Sequence, residues 1–436
     1  MAETITHRRV LNIAVPVMLS NATVPILGAV DTGVIGQMGL AAPIGAVGIG
    51  AIILSAVYWI FGFLRMGTVG LAAQAEGQGD TGEVAALLTR ALMIGLGAGI
   101  AIIALQSALF RGAFQVSPAS PEVEDLARQY MALRIWSAPA AIALYGITGW
   151  LIAQERTRAV LVLQLWMNGL NVALDVWFVL GLGWGVQGVA LGTAIAEWSG
   201  FALGLWFCRA AFAGTAWRAW QTVFDGPRWR RMMAVNTDIL IRSLLLQAIF
   251  VSFMFVGAGQ GDVPLAANQV LLQFLMIAAY ALDGFAFAAE ALVGKAYGAR
   301  DRMRLRRAAL LASGWGMVAA GVMALAFAAA GGALVDLMTT SEEVQARARD
   351  YLPYIVAVPL LSCAAFMLDG IFIGATRSRD MRNMMALSFC VYVACVMVMV
   401  PVWGNHGLWL ALMVSFVVRA ATLAARYPAL ERGAAA

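Results

Sequence analysis

Some twelve apolar stretches, each near the ~20 residues a helix needs to cross hydrocarbon, constrain this chain more than any other feature. They run over roughly 10–33, 44–66, 86–109, 129–152, 159–181, 187–211, 233–257, 264–292, 306–330, 352–374, 384–402 and 405–425. In lipid the backbone must satisfy its own hydrogen bonds, and runs of this length do so as helices. Of the 436 residues, 62% are hydrophobic and 12% charged, against about 25% charged in a soluble domain. The expectation is an all-α polytopic membrane protein, and a large soluble helical protein is excluded. The opening MAETITHRRV is charged and polar. The apolar stretch behind it has no small-residue cleavage site, so the first helix is expected to stay as an anchor.

The connections between these stretches alternate in charge. One set carries Arg8 and Arg9, Arg90, Arg156 and Arg158, the arginines from Arg209 to Arg231, the basic run from Lys295 to Arg307, then Arg377, Arg379, Arg382, Arg426 and Arg432. The other holds Arg111, Arg128, Arg347 and Arg349 beside acids such as Glu122, Glu124, Glu342 and Glu343. The positive-inside rule puts the first set, with both termini, in the cytoplasm. An even number of spans agrees. The net charge of +5 thus follows topology rather than nucleic-acid binding. The expected location is a bacterial plasma (inner) membrane, multi-pass.

The halves resemble each other. PEVEDLARQYMALRI (121–135) aligns with SEEVQARARDYLPYI (341–355), and GWLIAQERTRA (149–159) with GIFIGATRSRD (370–380). AAQAEGQGD (72–80) stands where EALVGKAYGARD (290–301) stands. This is a tandem duplication of a unit of about six helices. Six is even, so both copies share one orientation, as in parallel-repeat transporters. The expected layout is twelve transmembrane helices in two six-helix pseudo-symmetric lobes with a cleft between them. Residues 1–211 form the N-terminal lobe, 212–232 a cytoplasmic linker containing WRAWQTVFDGPRWRR, and 233–436 the C-terminal lobe.

Seven acids fall inside the spans: Asp31, Asp175, Glu197, Asp238, Asp283, Glu290 and Asp369. An intramembrane carboxylate costs on the order of 2.5–3.5 kcal/mol even on the lenient insertion scale, so it is a functional candidate by default. At 1.5 Å per residue, Asp31 and Asp175 both reach the outer half of the bilayer, and Thr193 lies about 9 Å in from that side. Asn168, Asn171 and Asp175 share one helical face at i, i+3, i+7. Carboxylate, amide and hydroxyl oxygens suit a hard monovalent cation. Two neighbouring carboxylates in low dielectric can equally share a proton. The plain alternative is a satisfied network that only ties helices together.

Asp283, Asp369 and Glu197 are secondary candidates. Asp238 and Arg242, four apart, are expected to form a local ion pair. Glu290 lies toward the cytoplasmic end of its helix. Pro16 and Pro25 give helix one places to bend. The 22 Met and 14 Trp suit a cleft that accepts varied organic cations. Cys208, Cys363, Cys390 and Cys395 lack metal-ligand spacing and read as small core residues. Neither histidine suggests a metal site.

Several segments together resemble the MATE (multidrug and toxic compound extrusion) family, in its DinF-like branch. They are FLRMGTVGLAAQAEGQGD (63–80), GAVDTGVIGQMG (28–39), GLNVALDVWFVLGLGWGVQGVALGTAIAEW (169–198), AANQVLLQF (266–274), ALDGFAFAAEALVGKAYG (281–298) and LDGIFIGATRSRDMRN (368–383). The resemblance runs along nearly the whole chain. It implies the MATE/MOP-type fold and a secondary active efflux antiporter. Such a protein exports organic, often cationic, amphiphiles for H⁺ or Na⁺ by alternating access. The family's N-lobe coupling positions fall on Asp31, Asn171, Asp175 and Thr193, and its helix-one proline on Pro16. Asp283 and Asp369 match regions where other branches carry acids.

No cofactor is expected beyond the coupling ion, and no metal beyond Na⁺ at those four residues. The expected partners are small amphiphiles and membrane lipid, not nucleic acid, and the expected state is a monomer. An enzyme is not expected, because no His/Asp or metal cluster sits at a membrane face. The closest rival is a lipid-linked oligosaccharide flippase of the same superfamily. It would need several cations in the cleft, and only Arg65, Arg134, Arg242 and Arg419 are candidates, most of them near predicted helix ends.

Overall fold

The computed structural model describes residues 4–37, 40–116 and 120–435. Helices account for the spans: α1 (His7–Gly36), α2 (Ala41–Gly77), α3 (Thr81–Ala104), α4 (Pro121–Ala153), α5 (Thr157–Gly181), α6 (Gly185–Phe207), α7 (Gly226–Ala258), α8 (Asp262–Gly298), α9 (Arg302–Met338) and α10 (Glu342–Gly374). The last helical stretch, Ser378–Gly433, breaks at Gly404, whose φ of 53° and ψ of −132° are not helical. It therefore supplies two helices, α11 (378–403) and α12 (405–433), and completes twelve among the described residues.

Most of these helices outrun the apolar stretches. α9 has 37 residues, because its basic first turns RMRLRR continue the helix where hydropathy stops. Phe255, Leu325 and Met397 are among the most exposed large apolar side chains. In a bilayer that outward face is solvated by lipid, so it carries no aqueous penalty.

Two compact units emerge from the packing. One comprises Leu19–Thr68 and Asp80–Trp229; the other comprises Met1–Met18, Val69–Gly79 and Arg230–Ala436. The first has a core of buried residues including Ile35, Leu54, Tyr130, Ile142 and Val189. The second has one including Phe253, Phe274, Tyr351, Leu408 and Trp409. In the second unit the helices approach closely through glycine. A Cβ at Gly77 would strike the Lys295 carbonyl, and one at Gly298 the Gln74 carbonyl.

The duplication is written into the helix ends. α4 ends with Glu155 at φ 57° and α10 with Thr376 at φ 50°. In each, the next arginine donates its backbone N–H five residues back: Arg156 to Leu151 O at 2.8 Å, Arg377 to Phe372 O at 3.0 Å. This is the left-handed C-terminal turn that satisfies the last carbonyls of a helix. Both arginines then use their side chains alike, Arg156 donating to Phe207 O at 2.6 Å and Arg377 to Ala429 O at 3.3 Å. Gly79 (φ 74°) and Arg300 (φ 54°) form a second matching pair. Each precedes an aspartate that caps the next helix, Asp80 accepting from Glu83 N and Asp301 from Arg304 N, both at 2.9 Å.

The stretch after α6 is not a loose linker. Arg90 on α3 is fully buried. It donates to Thr222 O at 2.5 Å, Val223 O at 2.8 Å and Glu83 at 2.7 Å. Thr89 donates to Trp217 O at 2.8 Å, and Arg228 also pairs with Glu83. Short helical turns, Arg209–Phe212 and Trp220–Val223, are thereby held against α3.

Candidate ion-coupling site

Within the first unit, α1, α5 and α6 bring Asp31, Asn171, Asp175 and Thr193 together. Asp175 and Asn171 are 0% and 1% exposed, and Thr193 is also buried. The Asn171 amide bridges the group. With its nitrogen toward Asp31 it donates to Oδ1 at 3.2 Å, and its oxygen accepts from the Thr193 N–H at 3.3 Å and hydroxyl at 3.1 Å. The opposite orientation would set an amide oxygen against a carboxylate oxygen. The single Thr193 hydroxyl proton is shared between Asn171 and Val189 O, 3.0 Å away on its own helix. The side chains of Asp31 and Asp175 lie within hydrogen-bonding reach of each other. Two carboxylates so close repel when both are ionised, so a proton or a cation shared between them stabilises the arrangement.

Local structure fixes Asp175. It is the last α-helical residue of α5; Val176–Gly181 winds as a π-helical turn. Such turns are frequent at functional sites. The turn is held by stacking of Phe178 on Trp177 (5.4 Å) and on Trp184 (5.0 Å). Across from it, a Cβ on Gly192 would stand 2.5 Å from Asp175 Oδ1. Only glycine lets α6 pack this closely. That Oδ1 is buried without a hydrogen-bond donor.

Asn168 lies on the same face of α5 but serves α1 at another level. It donates to Thr23 Oγ1 at 2.8 Å and accepts from Gln164 at 3.0 Å. Glu197 is claimed by Arg134, whose Nη2 donates to Oε1 at 3.3 Å while Nη1 donates to Tyr130 Oη at 2.9 Å. The Arg134 charge also acts on both Asp31 and Asp175. The spacing of four between Tyr130 and Arg134 is the signal that could have pointed to this pair. It gave no sign that Glu197, sixty-three residues on, completes the trio. Pro16 and Pro25 both lie inside the continuous helix α1.

The remaining candidates belong to the other unit. Asp283 is half-buried on α8, and Glu290 is buried further along it. The expected local pair of Asp238 with Arg242 does not form. Asp238 accepts from Ser378 at 2.8 Å and Arg382 at 2.7 Å, and Arg242 turns to Asp369. Arg242 and Arg419 lie well inside α7 and α12 and are buried, rather than near the ends.

The MatE family model matches residues 16–177 and again 239–402, one match in each half of the duplicated chain. DNA damage-inducible protein F of Escherichia coli (strain K12) is 39% identical, over 97% of this chain and 92% of that protein. A probable multidrug resistance protein NorM of Xanthomonas campestris pv. campestris is 26% identical, over 96% of this chain and 93% of that one. Among solved structures, a Vibrio cholerae MATE transporter matches with a TM-score of 0.86 at 20% identity, covering 98% of this chain and 97% of that one. An outward-facing multidrug resistance MATE family transporter of the MOP superfamily matches at 0.82 and 18% identity, with coverage of 98% and 97%. These two structures show the fold of twelve helices in two lobes. Duplicated halves, apolar spans and the matches along nearly the full length lead to one assignment: this chain belongs to the MATE family of multidrug and toxic compound efflux transporters, in its DinF-like branch.

Proposed function

We propose that this multi-pass membrane transporter is an antiporter that exports organic, often cationic, amphiphiles in exchange for inward H⁺ or Na⁺ by alternating access. Asp31, Asn171, Asp175 and Thr193 are its coupling site. It works in a bacterial inner membrane with both termini in the cytoplasm, an orientation supported by the alternating charge of the connections. The observation that carries the coupling reading is the pair of facing carboxylates, Asp175 buried and Asp31 half-buried, with the Asn171 amide tying Asp31 to Thr193.

A proton or Na⁺ arriving from outside is held between Asp31 and Asp175. Their negative charge is then spent on the ion, which weakens their hold on a cationic substrate and favours its release outward. Such a switch works only if ion and substrate bind the two states with different affinities. The membrane potential supplies about 2.3 kcal/mol per charge per 100 mV, to which the ion gradient adds.

The test is ethidium efflux from loaded cells under an imposed pH gradient and, separately, an imposed Na⁺ gradient, with wild type beside Asp175→Asn at equal expression. We expect one gradient to drive efflux and the variant to lose about tenfold or more of the rate. Equal efflux by the variant under that gradient would falsify the coupling role.

A further inference from the structure

One buried cluster of charges in the second unit does not balance. Asp369 on α10 accepts from Arg242 Nη2 on α7 and lies 3.8 Å from Arg419 Nη2 on α12. All three side chains are buried, Arg419 at 3% exposure. Two guanidinium groups thus meet one carboxylate. Among the described residues Asp369 is the carboxylate that acts on Arg419, and Arg242 opposes it as a like charge. Nε of Arg242, and Nε and Nη2 of Arg419, are buried with no hydrogen-bond acceptor.

Arginine cannot shed its proton to relieve this, so one positive charge stays uncompensated inside a membrane span. A structural ion pair needs one cation for one anion. The second arginine is therefore surplus to structure, and in a bilayer a surplus charge is costly enough to need a use. The rings of Phe366 and Phe416 lie 5.6 and 5.7 Å from the Arg419 guanidinium. Their faces offset part of the cost but accept no hydrogen bonds. Phe366 and Leu368, beside Asp369 on α10, are only half-buried, so the group lies about one side chain beneath the surface of its unit.

We propose that Arg242 and Arg419 form an anion subsite in this unit. It takes the carboxylate, sulfonate or phosphate head of an amphiphile, whose apolar body meets Phe366 and Phe416. The guanidinium fork matches such heads with paired N–H donors. Asp369 is then the built-in counter-ion that an incoming head competes with for Arg242. The export reading is needed only for what becomes of the bound anion, not for its binding.

The experiment is equilibrium binding to the full chain in neutral detergent, read by fluorescence, with no ion gradient. The probes are 11-(dansylamino)undecanoic acid and its uncharged methyl ester. Wild type should bind the acid about tenfold or more tighter than the ester. R419Q should abolish that preference, R419K should keep only part of it, and D369N should strengthen it by releasing Arg242. Melting curves select the variants that fold, and R242Q replaces R419Q where the latter does not. Equal binding of acid and ester by wild type, or an undiminished preference in a folded R419Q or R242Q, overturns the subsite. Competition separates the sources of the head. Displacement of the probe by short-chain phosphatidic acid assigns the site to lipid phosphates, and displacement by alkyl sulfonates alone assigns it to exported anions. Either result upholds the subsite. Because the assay needs no gradient, its failure is distinct from a failure of ethidium efflux.

Discussion

Gly192 sets how closely α6 approaches the Asp175 carboxylate. A methyl group there would press on Oδ1. Gly192→Ala is therefore expected to lower stability by about 1–3 kcal/mol, the usual cost of overpacking a close contact, and to separate Asp175 from Thr193. Thermal unfolding in detergent reads the first effect. Gradient-driven efflux at matched expression reads the second, and should fall with it. Unchanged values for both would show that α6 yields without cost and that the close packing is incidental. Asn168 behaves differently at the same scale. It shares a helical face with Asn171 and Asp175, yet its partner is Thr23. A shared face fixes direction around the helix but leaves the level along it to the neighbour.

At the scale of elements, the repeated helix ends are the firmest local structure. Asp301 caps α9 by accepting from Arg304 N at 2.9 Å, and Asp80 does the same for α3 from Glu83 N. Removing such a cap costs about 0.5–2 kcal/mol. Asp301→Ala should lower the melting temperature accordingly, while Asp301→Asn, which keeps the accepting oxygen, should restore most of the loss. A variant pair that melts identically to wild type would mean that the basic run Arg302–Arg307 starts the helix unaided. α5 shows the opposite behaviour. Its α-helical pattern is legible in the sequence up to Asp175, but the π turn that follows is not. Stacking of Phe178 between Trp177 and Trp184 decides it, and those contacts exist only after the turn has formed.

For the molecule as a whole, the charge alternation predicts which connections reach each side of the membrane. In a cysteine-free background, a cysteine at Ala216 should react with an impermeant maleimide only after the cells are permeabilised. One at Thr340 should react in intact cells. The reverse pattern would invert the topology and, with it, the direction proposed for ion entry. Duplication also has a consequence at this scale. The two halves keep the same helix-end geometry, but one carries facing carboxylates and the other a buried cluster of two arginines on one aspartate. With both proposed sites, a molecule so divided would take amphiphiles of either sign, or zwitterions.

The spans and the duplication are legible in the sequence, and so are the expected orientation and the proposed coupling quartet. Each rests on local information: length and hydropathy for the spans, flanking charge for orientation, aligned text for the repeat, and depth with helical spacing for Asp31, Asn171, Asp175 and Thr193. Which charge meets which is set by packing in three dimensions. Asp238 and Arg242 are helical neighbours four residues apart, yet Arg242 pairs with Asp369, 127 residues away, and Arg134 with Glu197, 63 residues away. The reason is dielectric. In a low-dielectric interior a buried charge gains far more from its partner than it would in water, so it takes the best partner in space whatever the sequence separation. Spacing along a helix predicts ion pairs where water screens the alternatives, and loses that power where lipid and packed side chains exclude it.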